Sequence, residues 1–494
     1  MIVDGGPLTP EQVVAVALDG AEAVPGPDLE SRLAPARQTV DTVVESGEVV
    51  YGITTGFGAL ATTHIGKAET EELQYNLLRS HASAVGEPLA DEVVKAMLLL
   101  RARTLANGHS GVRPVIVEKL LELLDRNMLP VVPSQGSVGA SGDLAPFAHL
   151  ALPLIGEGLV RVDGEIVETR ATDFEPVRLL TKEGLSLLNG TEGMTAMGAL
   201  ALHHGRNLAL AADVAVALTV EGMLASARPF REDIHALRPH PGQIGSASRI
   251  AALLEGSEIV KSHHDDFEHA VQDAYSLRCA PQVHGAVTDT LDHLERIITI
   301  EMGSVVDNPI VFPETGEVIS GGNFHGQPLA FGLDFAAIAL SELGSISERR
   351  TDRMLDPVRS RGLPAFLAAD PGVESGYMIT QYVQAALVAE NKILSHPASV
   401  DSVPTSGSQE DHVSMGWGAG KKLFAIIENV RRILAIEILC GTRAIEYRAP
   451  LEPAAGTARV MAKIRELVPP LETDRSPASE IETVAALIES GDLI

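Results

Sequence analysis

Residues 283–301 read VHGAVTDTLDHLERIITIE, and the spacing of their apolar side chains indicates the class of fold. The apolar positions recur at intervals of three and four residues, which places them on one stripe of an α-helix. The stripe consists of Val283, Val287, Leu291, Leu294 and Ile298. We therefore predict a long amphipathic helix that buries one face against its neighbours.

Four further segments are long and helical in pattern: 195–227, 328–350, 376–394 and 412–439. Helices of this length without a strict heptad repeat usually bury one another in a bundle. Aromatic residues make up only 4% of the chain, while Ala and Leu, which favour helices, are abundant. The sequence predicts a mainly α protein, with a smaller, loop-rich N-terminal domain at residues 1–200 and a long-helix bundle at 201–494.

Shorter elements carry local signals. Thr9 begins a capping box with Pro10 at the first helical position and Gln12 three residues after the cap, and Gly20 marks the expected end of this helix. Residues 48–54 and 159–167 are strand-like, and the pair Asp163-Gly164 in the second segment is typical of a hairpin turn. We expect these few strands to be minor additions to the helices.

Composition excludes several classes of protein. The 494 residues include 38 Lys+Arg and 66 Asp+Glu, a net charge of −28, which disfavours binding to nucleic acid or anionic lipid. Apolar residues make up 45% of the chain, enough for a large core. Two cysteines, Cys279 and Cys440, cannot form a disulfide framework, and no signal peptide or membrane span is recognisable. We expect a globular protein of the cytoplasm.

The most unusual segment is 133–146, PSQGSVGASGDLAP, in which small residues crowd around one serine. On local grounds it is a loop entering a helix, with Asp143 as the N-cap. Ala140 and Gly142 also present minimal bulk on each side of Ser141, so the Gly142 amide nitrogen can approach the Ala140 carbonyl carbon. Cyclisation and dehydration of the serine, with loss of two waters, would then give a methylidene-imidazolone, an electrophile made from backbone.

Around this loop the chain resembles the aromatic amino-acid ammonia-lyases and aminomutases, which use this autocatalytic 4-methylidene-imidazol-5-one group. The resemblance runs over nearly the whole chain and rests on the motifs 51–58, 139–146, 188–191, 238–243, 272–278, 307–309 and 322–326. It implies a bundle of the ammonia-lyase type and a prosthetic group formed from Ala140, Ser141 and Gly142, with no external organic cofactor and no metal. It also implies a homotetramer whose active sites draw residues from three subunits.

The resemblance also assigns roles to particular residues. Tyr51 would be the general base, Tyr275 would support catalysis near the electrophile, and Arg278 would clamp the substrate carboxylate through two hydrogen bonds. The remaining pocket residues implied in this way are Asn189, Gln272, Asn308 and Phe324.

Within the family, the chain is similar to the histidine-specific members. The similarity rests on Ser80-His81 and on the segments 395–402, 404–406 and 409–415. It implies that His81, Met378 and Glu410 cradle an imidazole ring, because a carboxylate accepts from a ring N–H and a thioether packs against the ring edge. The implied reaction is elimination of ammonia from L-histidine to give trans-urocanate, the first step of histidine degradation.

Other interpretations compete with this one. A tyrosine or phenylalanine lyase or aminomutase of the same family would share most of the motifs, and a non-catalytic helical scaffold would share the fold. Residues 262–269, SHHDDFEH, contain metal-ligand residue types, with His264 and Glu268 one helical turn apart. No His-Glu-x-x-His pattern accompanies them, so we favour a solvated helix start over a metal site.

Overall fold

The computed structural model describes residues 1–56, 58–60, 62–66, 69–139, 143–263 and 272–493. The chain divides into two compact units. The first unit comprises Met1–His203, Leu294–Leu333 and Pro397–Lys421, and the second comprises His204–His293, Asp334–His396 and Lys422–Ile494. The division predicted at residue 200 stays a prediction.

The protein is mainly α, as the sequence predicts. The helices of the described chain are α1 Pro10–Ala17, α2 Leu29–Ser46, α3 Thr70–His81, α4 Asp91–Ala106, α5 Pro114–Asp125, α6 Leu144–Ala151, α7 Glu183–Ser186, α8 Glu192–Gly222, α9 Glu232–Ala236, α10 Pro241–Leu253, α11 Glu258–Lys261, α12 Tyr275–Arg278, α13 Ala280–Glu301, α14 Gln327–Leu355, α15 Met378–Leu394, α16 Gly416–Glu446, α17 Ala455–Leu467 and α18 Ala478–Ser490.

The strands of the described chain are short and belong to the first unit. β1 (Ile2–Val3) pairs in parallel with β2 (Val24–Pro25), and β3 (Val85–Pro88) pairs antiparallel with β5 (Pro133–Gln135). β4 (Leu129–Pro130), β6 (Leu159–Val162) and β7 (Glu165–Glu168) form an antiparallel sheet in the order β4-β6-β7. β8 (Ile310–Phe312) and β9 (Glu317–Ile319) form an antiparallel pair.

The capping box at the start of α1 is confirmed. The Gln12 N–H donates to the Thr9 hydroxyl at 3.3 Å, and the Thr9 N–H donates to the Gln12 side-chain oxygen at 2.9 Å. These two bonds satisfy backbone donors that the first helical turn leaves without intrahelical partners. The helix ends at Ala17, before Gly20.

Of the two predicted strand segments, one is confirmed and one is wrong. Asp163 and Gly164 both have positive φ, 49° and 83°, and form the tight turn between β6 and β7. Residues 48–54 form turns instead. The Thr54 hydroxyl donates to the Glu48 carbonyl at 2.6 Å and accepts from the Val50 N–H at 2.9 Å, so side-chain bonds replace those of a ladder.

The long helices are confirmed with shifted ends. The stripe on α13 is buried at Val287, Leu291, Leu294 and Ile298, while Val283 stays partly exposed. Among the described residues, α14 is one helix that is long and apolar enough to cross a membrane, with a mean hydropathy of 1.5 over its most apolar window. Because 61% of that window is buried within the protein, these properties suit a core helix equally well.

Charged side chains are buried in the core of the second unit. Arg350 donates to Glu437 at 2.5 and 2.8 Å, and Nδ1 of His284 lies 2.7 Å from Asp213. Burial lowers the pKa of His284, although the Asp213 carboxylate opposes this effect. Arg350 also donates to the main-chain oxygen of Ser276, at 3.4 Å, so the network reaches the short helix α12.

Candidate active site

A cavity of about 410 Å³ in the first unit adjoins the loop predicted to form the electrophile. It is lined by Ser80, His81, Ser83, Gly136, Ser137, Val138, Leu144, Ala145, Thr405, Ser406 and Glu410. Ala140, Ser141 and Gly142 themselves lie outside the described residues. Residues on both sides of them line the cavity, together with His81 and Glu410, two of the predicted binding residues.

The segment before the three residues is held by residues 414–417. The Trp417 indole N–H donates to the Ser134 carbonyl at 2.9 Å, and the Met415 N–H donates to the Val138 carbonyl at 2.9 Å. Gly139 has a φ of 71°, and the hydroxyl oxygen of Ser414 occupies the space that a Cβ at residue 139 would need. Position 139 therefore requires glycine for two independent reasons.

The segment after the three residues is held through Asp143. Its N–H donates to the Gly190 carbonyl at 2.9 Å, and its carboxyl group accepts from the Met194 N–H at 3.0 Å and from the Ser137 hydroxyl at 3.1 Å. Burial raises the pKa of this carboxyl to about 7, because its hydrogen bonds and Arg101 only partly offset the loss of solvent. Asp143 is the N-cap residue of α6, as the sequence predicts, but its side chain makes no capping hydrogen bond.

His81 ends α3 and lines the cavity. Its Nδ1 lies 2.9 Å from the Leu77 carbonyl oxygen and 3.1 Å from the Ser80 hydroxyl. A carbonyl oxygen can only accept, so we assign the proton of the neutral ring to Nδ1, which leaves Nε2 as an acceptor. Burial lowers the pKa of His81, although Leu77 and Glu410 oppose the shift, and this favours the neutral ring.

Glu410 stands beside a tight turn. Its Oε2 accepts from the Thr405 hydroxyl at 2.7 Å, and the main chains of Thr405 and Glu410 pair in an isolated bridge. Between them, Ser406, Gly407 and Ser408 all have positive φ, of 51°, 62° and 67°. This conformation is uncommon for serine and is retained where surrounding contacts enforce it.

Tyr51 lies on a loop that contacts the same turn. Its hydroxyl oxygen accepts from the Gly58 N–H at 3.4 Å, and the neighbouring Ala59 N–H donates to the Ser406 hydroxyl at 3.3 Å. The side chain of Tyr51 is half-buried. The loop of the predicted base and the turn before Glu410 are thus joined directly by a hydrogen bond.

Asn189 and Asn308 meet in the interior of the first unit. The Asn189 amide donates to the Asn308 carbonyl at 2.8 Å, and the Asn308 side-chain oxygen accepts from the Gly321 N–H at 2.8 Å. Arg101 donates to the Asn189 carbonyl at 2.6 Å, which fixes the main chain here. Phe324 is half-buried on the loop that follows Gly321.

The other predicted site residues belong to the second unit. The Arg278 guanidinium stacks on the Tyr275 ring, 4.6 Å from its centroid, and Tyr275 is 71% exposed. Gln272 is also exposed. Met378 begins α15 and lines a separate cavity of about 360 Å³ with Asp352, Leu355, Asp356, Pro357, Phe366, Gln381 and Tyr382.

Sequence reasoning missed the residues that hold the loop. Ser137 and Ser414 give no local signal, because serine is common and their partners are distant in sequence. Trp417 is the chain's single tryptophan and is fully buried, so its position shortly after a recognised motif was a usable signal.

Among the described residues, no group of three or more His, Cys, Asp or Glu could hold a metal ion. Residues His264 and Glu268 lie outside the described part of the chain.

Comparison with known proteins agrees with the fold. The profile of the family described as aromatic amino acid lyase matches residues 8–466. The chain is 50% identical to histidine ammonia-lyase from Symbiobacterium thermophilum, an alignment that covers 99% of this chain and 97% of that protein.

Solved structures show the same likeness. Histidine ammonia-lyase from Trypanosoma cruzi superposes with a TM-score of 0.91 and 42% identity, covering 100% of this chain and 94% of the other. Tyrosine aminomutase from Streptomyces globisporus superposes with a TM-score of 0.94 and 39% identity, covering 100% and 97%. The chain therefore belongs to the aromatic amino acid lyase family and is a carbon–nitrogen lyase.

Proposed function

We propose that this enzyme eliminates ammonia from L-histidine to give trans-urocanate, using 4-methylidene-imidazol-5-one formed from Ala140, Ser141 and Gly142. The observation that carries the proposal is the cavity in which His81 and Glu410 adjoin both flanks of these three residues. The relatives named histidine ammonia-lyase support the choice of substrate.

The residues around the loop fit such a prosthetic group. Fixed hydrogen bonds hold the main chain on both sides, at Ser134 and Val138 before it and at Asp143 after it. The Ser414 hydroxyl fills the space beside Gly139, so the loop is confined where it enters the three residues. When present, the group supplies an electrophilic carbon that lowers the barrier to loss of ammonia.

His81 and Glu410 are the proposed recognition pair for the imidazole ring. A neutral His81 accepts a ring N–H through Nε2, and the Glu410 carboxylate accepts from the other ring nitrogen when that nitrogen is protonated. The cavity thus presents two acceptors, Nε2 of His81 and the Glu410 carboxylate, and this favours a substrate whose ring carries two nitrogens. Phenylalanine offers no donor and leaves both acceptors without partners, which strongly disfavours its binding.

The remaining roles follow from the chemistry of each side chain. Tyr51 is the proposed base for the β-proton, because its hydroxyl oxygen can take a proton once it is ionised. Arg278 is proposed to bind the substrate carboxylate, and Tyr275, which stacks against it, to assist near the reacting atoms. Asn189, Gln272, Asn308, Phe324 and Met378 are proposed to complete the binding pocket.

We further propose that the enzyme acts as a homotetramer with shared active sites, in the cytoplasm. A groove of about 690 Å³ in the second unit is lined by apolar side chains of α13 and α14, including Val283, Phe335 and Ile338. Phe335 and Ile338 are 45% and 46% exposed, and exposed apolar helix faces usually mark an interface. Light scattering that finds an active monomer would contradict this arrangement.

The substrate assignment is tested with three amino acids and three variants. Wild-type enzyme should release ammonia from L-histidine far faster than from L-tyrosine or L-phenylalanine. His81→Leu and Glu410→Ala should reduce kcat/KM for histidine by about tenfold to a thousandfold, because each removes an acceptor for the ring. Glu157→Gln, which breaks an exposed ion pair with Arg79 in the same unit, is the control and should leave turnover unchanged.

Product analysis separates the related activities. An unsaturated acid from histidine supports the proposal. A β-amino acid from tyrosine would instead indicate an aminomutase, a candidate that the high structural similarity to tyrosine aminomutase favours. Unchanged preference for histidine in both cavity variants would refute the roles of His81 and Glu410.

A further inference from the structure

The short helix α12 needs external support to present its side chains. It has only four residues, and an isolated helix of this length has no stability of its own. Tyr275 at its start is 71% exposed. The geometry of Tyr275 and Arg278 must therefore be set by contacts at the base of the helix.

Arg278 is tied to the main chain of Asp273. Its Nε donates to the Asp273 carbonyl oxygen at 3.0 Å, while its guanidinium group stacks on Tyr275. A hydrogen bond at Nε restricts rotation of the guanidinium plane and leaves the two terminal nitrogens for another partner. The position of the Asp273 main chain thus determines the orientation of Arg278.

The Asp273 side chain anchors that main chain to two other segments. One carboxylate oxygen accepts from Arg361 at 2.8 Å, and the other accepts from the Ser226 N–H at 2.8 Å. The side chain of Asp273 is 5% exposed and that of Arg361 is 18% exposed. Arg361 also donates to the Leu224 carbonyl, so it ties Asp273 to the segment that follows α8.

Arg361 is itself held in an unusual conformation. Its φ is 54°, which side chains with a Cβ rarely adopt, and Arg448 donates to its carbonyl oxygen at 3.2 Å. Leu224, whose carbonyl Arg361 contacts, has a φ of 50°. Strained residues of this kind persist where surrounding contacts enforce them, often beside functional groups.

We propose that Asp273 and Arg361 are positioning residues for the reaction: their buried ion pair fixes the main chain that orients Arg278 toward the substrate carboxylate. The proposal rests on the proposed role of Arg278. The pair acts on binding of a carboxylate group, and it has no part in forming the prosthetic group or in recognising the imidazole ring.

The test compares two imidazole ligands that share an ethylene chain and end in opposite charges. Imidazolepropionate ends in a carboxylate, and histamine ends in an ammonium group in its place. In full-length Asp273→Asn, the KM for L-histidine and the inhibition constant of imidazolepropionate should rise about tenfold or more, because small misplacements of a clamping group weaken binding strongly. The inhibition constant of histamine should stay as in the wild type. The mature chain should also keep the wild-type mass deficit, which is the loss of two waters when residues 140–142 form the prosthetic group.

Asp334→Asn is the matched control. Asp334 is buried and pairs with Lys422 at 2.7 Å, and the two side chains are 1% and 19% exposed, close to the values for Asp273 and Arg361. Both variants should lose thermal stability, but only Asp273→Asn should discriminate between the two ligands. Arg361→Lys, which keeps the charge but loses the planar fork, is a milder second variant should Asp273→Asn fail to fold.

A double-mutant cycle measures whether the effect of Asp273→Asn on ligand binding depends on Arg278. In an Arg278→Gln background, Asp273→Asn should not weaken the binding of imidazolepropionate any further, because the guanidinium group that Asp273 positions is already absent. Equal weakening of both ligands, or additive effects in the double variant, would overturn the positioning role. Absence of histidine turnover by the wild type would instead refute the proposed function. The same comparison would then be made with whichever amino acid is turned over and its analogue lacking the carboxylate.

Discussion

Replacing Asp143 by asparagine should change how the stability of the protein depends on pH. The direction of the change follows from the surroundings of the Asp143 carboxyl. Burial raises the pKa of the Asp143 carboxyl from 3.8 to about 7, although Met194 and Ser137 donate hydrogen bonds to it. The experiment uses Ser141→Ala as the parent chain. Neither the parent nor the double variant can then form the prosthetic group, so the comparison reports on stability alone.

The expected magnitude follows from linkage between protonation and folding. One pKa unit corresponds to about 1.4 kcal/mol, so the shift from 3.8 to about 7 corresponds to about 4 kcal/mol. Because the folded-state pKa is raised, this stability is fully present below the unfolded pKa and is lost as the pH rises through about 7. Asparagine has no such dependence, but it offers one acceptor oxygen and leaves one donor without a partner, at a cost of about 1–3 kcal/mol.

Between about pH 5 and pH 8, the free energy of unfolding of the variant should therefore rise by about 2–3 kcal/mol relative to that of the parent chain. For a chain of 494 residues, 1 kcal/mol corresponds to roughly 1 °C in Tm. Differential scanning calorimetry at matched concentrations should show the difference in Tm moving by about 2–3 °C in the variant's favour. A difference in Tm that stays constant across this range would show that folding does not raise the pKa of the Asp143 carboxyl.

Three further changes test how the loop and its surroundings are held. Gly139→Ala should prevent the mass deficit and destabilise the chain by about 1–3 kcal/mol, because its Cβ meets the Ser414 hydroxyl at a positive φ; intact-mass and thermal measurements check this. Trp417→Phe should destabilise the chain by about 1 kcal/mol through loss of its bond to the Ser134 carbonyl and slow the mass loss after synthesis, as timed mass spectra would show. Lys182→Met should cost about 3–5 kcal/mol, because the buried Asp307, 2.8 Å away, loses its counter-charge; a fall in Tm checks this.

Local signals predicted local structure well. The capping box at Thr9 and the Asp163-Gly164 turn depend on residues a few positions apart, and both formed as expected. The strand predicted at 48–54 failed because a strand also needs a partner. Thr54 instead bonds to the main chain of its own segment, and Gly52 has a φ of 74°.

The site depended on non-local contacts, which spacing does not reveal. His81 and Glu410 share a cavity although more than three hundred residues separate them, and the resemblance to a known family was what pointed to both. The bonds from residues 415 and 417 to the loop at 134–138 also connect segments that are far apart in the sequence. The use of the Asp143 carboxyl also could not be predicted, because its sequence position suggested a helix cap and the fold supplied other donors.

The most direct test of the account is the intact mass of the purified, folded chain. Two dehydrations at residues 140–142 should lower it by about 36 Da relative to the translated sequence, and Ser141→Ala should restore the full mass and abolish turnover. Full-length protein that keeps its complete translated mass and still releases ammonia from histidine would show that the reaction does not use a prosthetic group formed from residues 140–142.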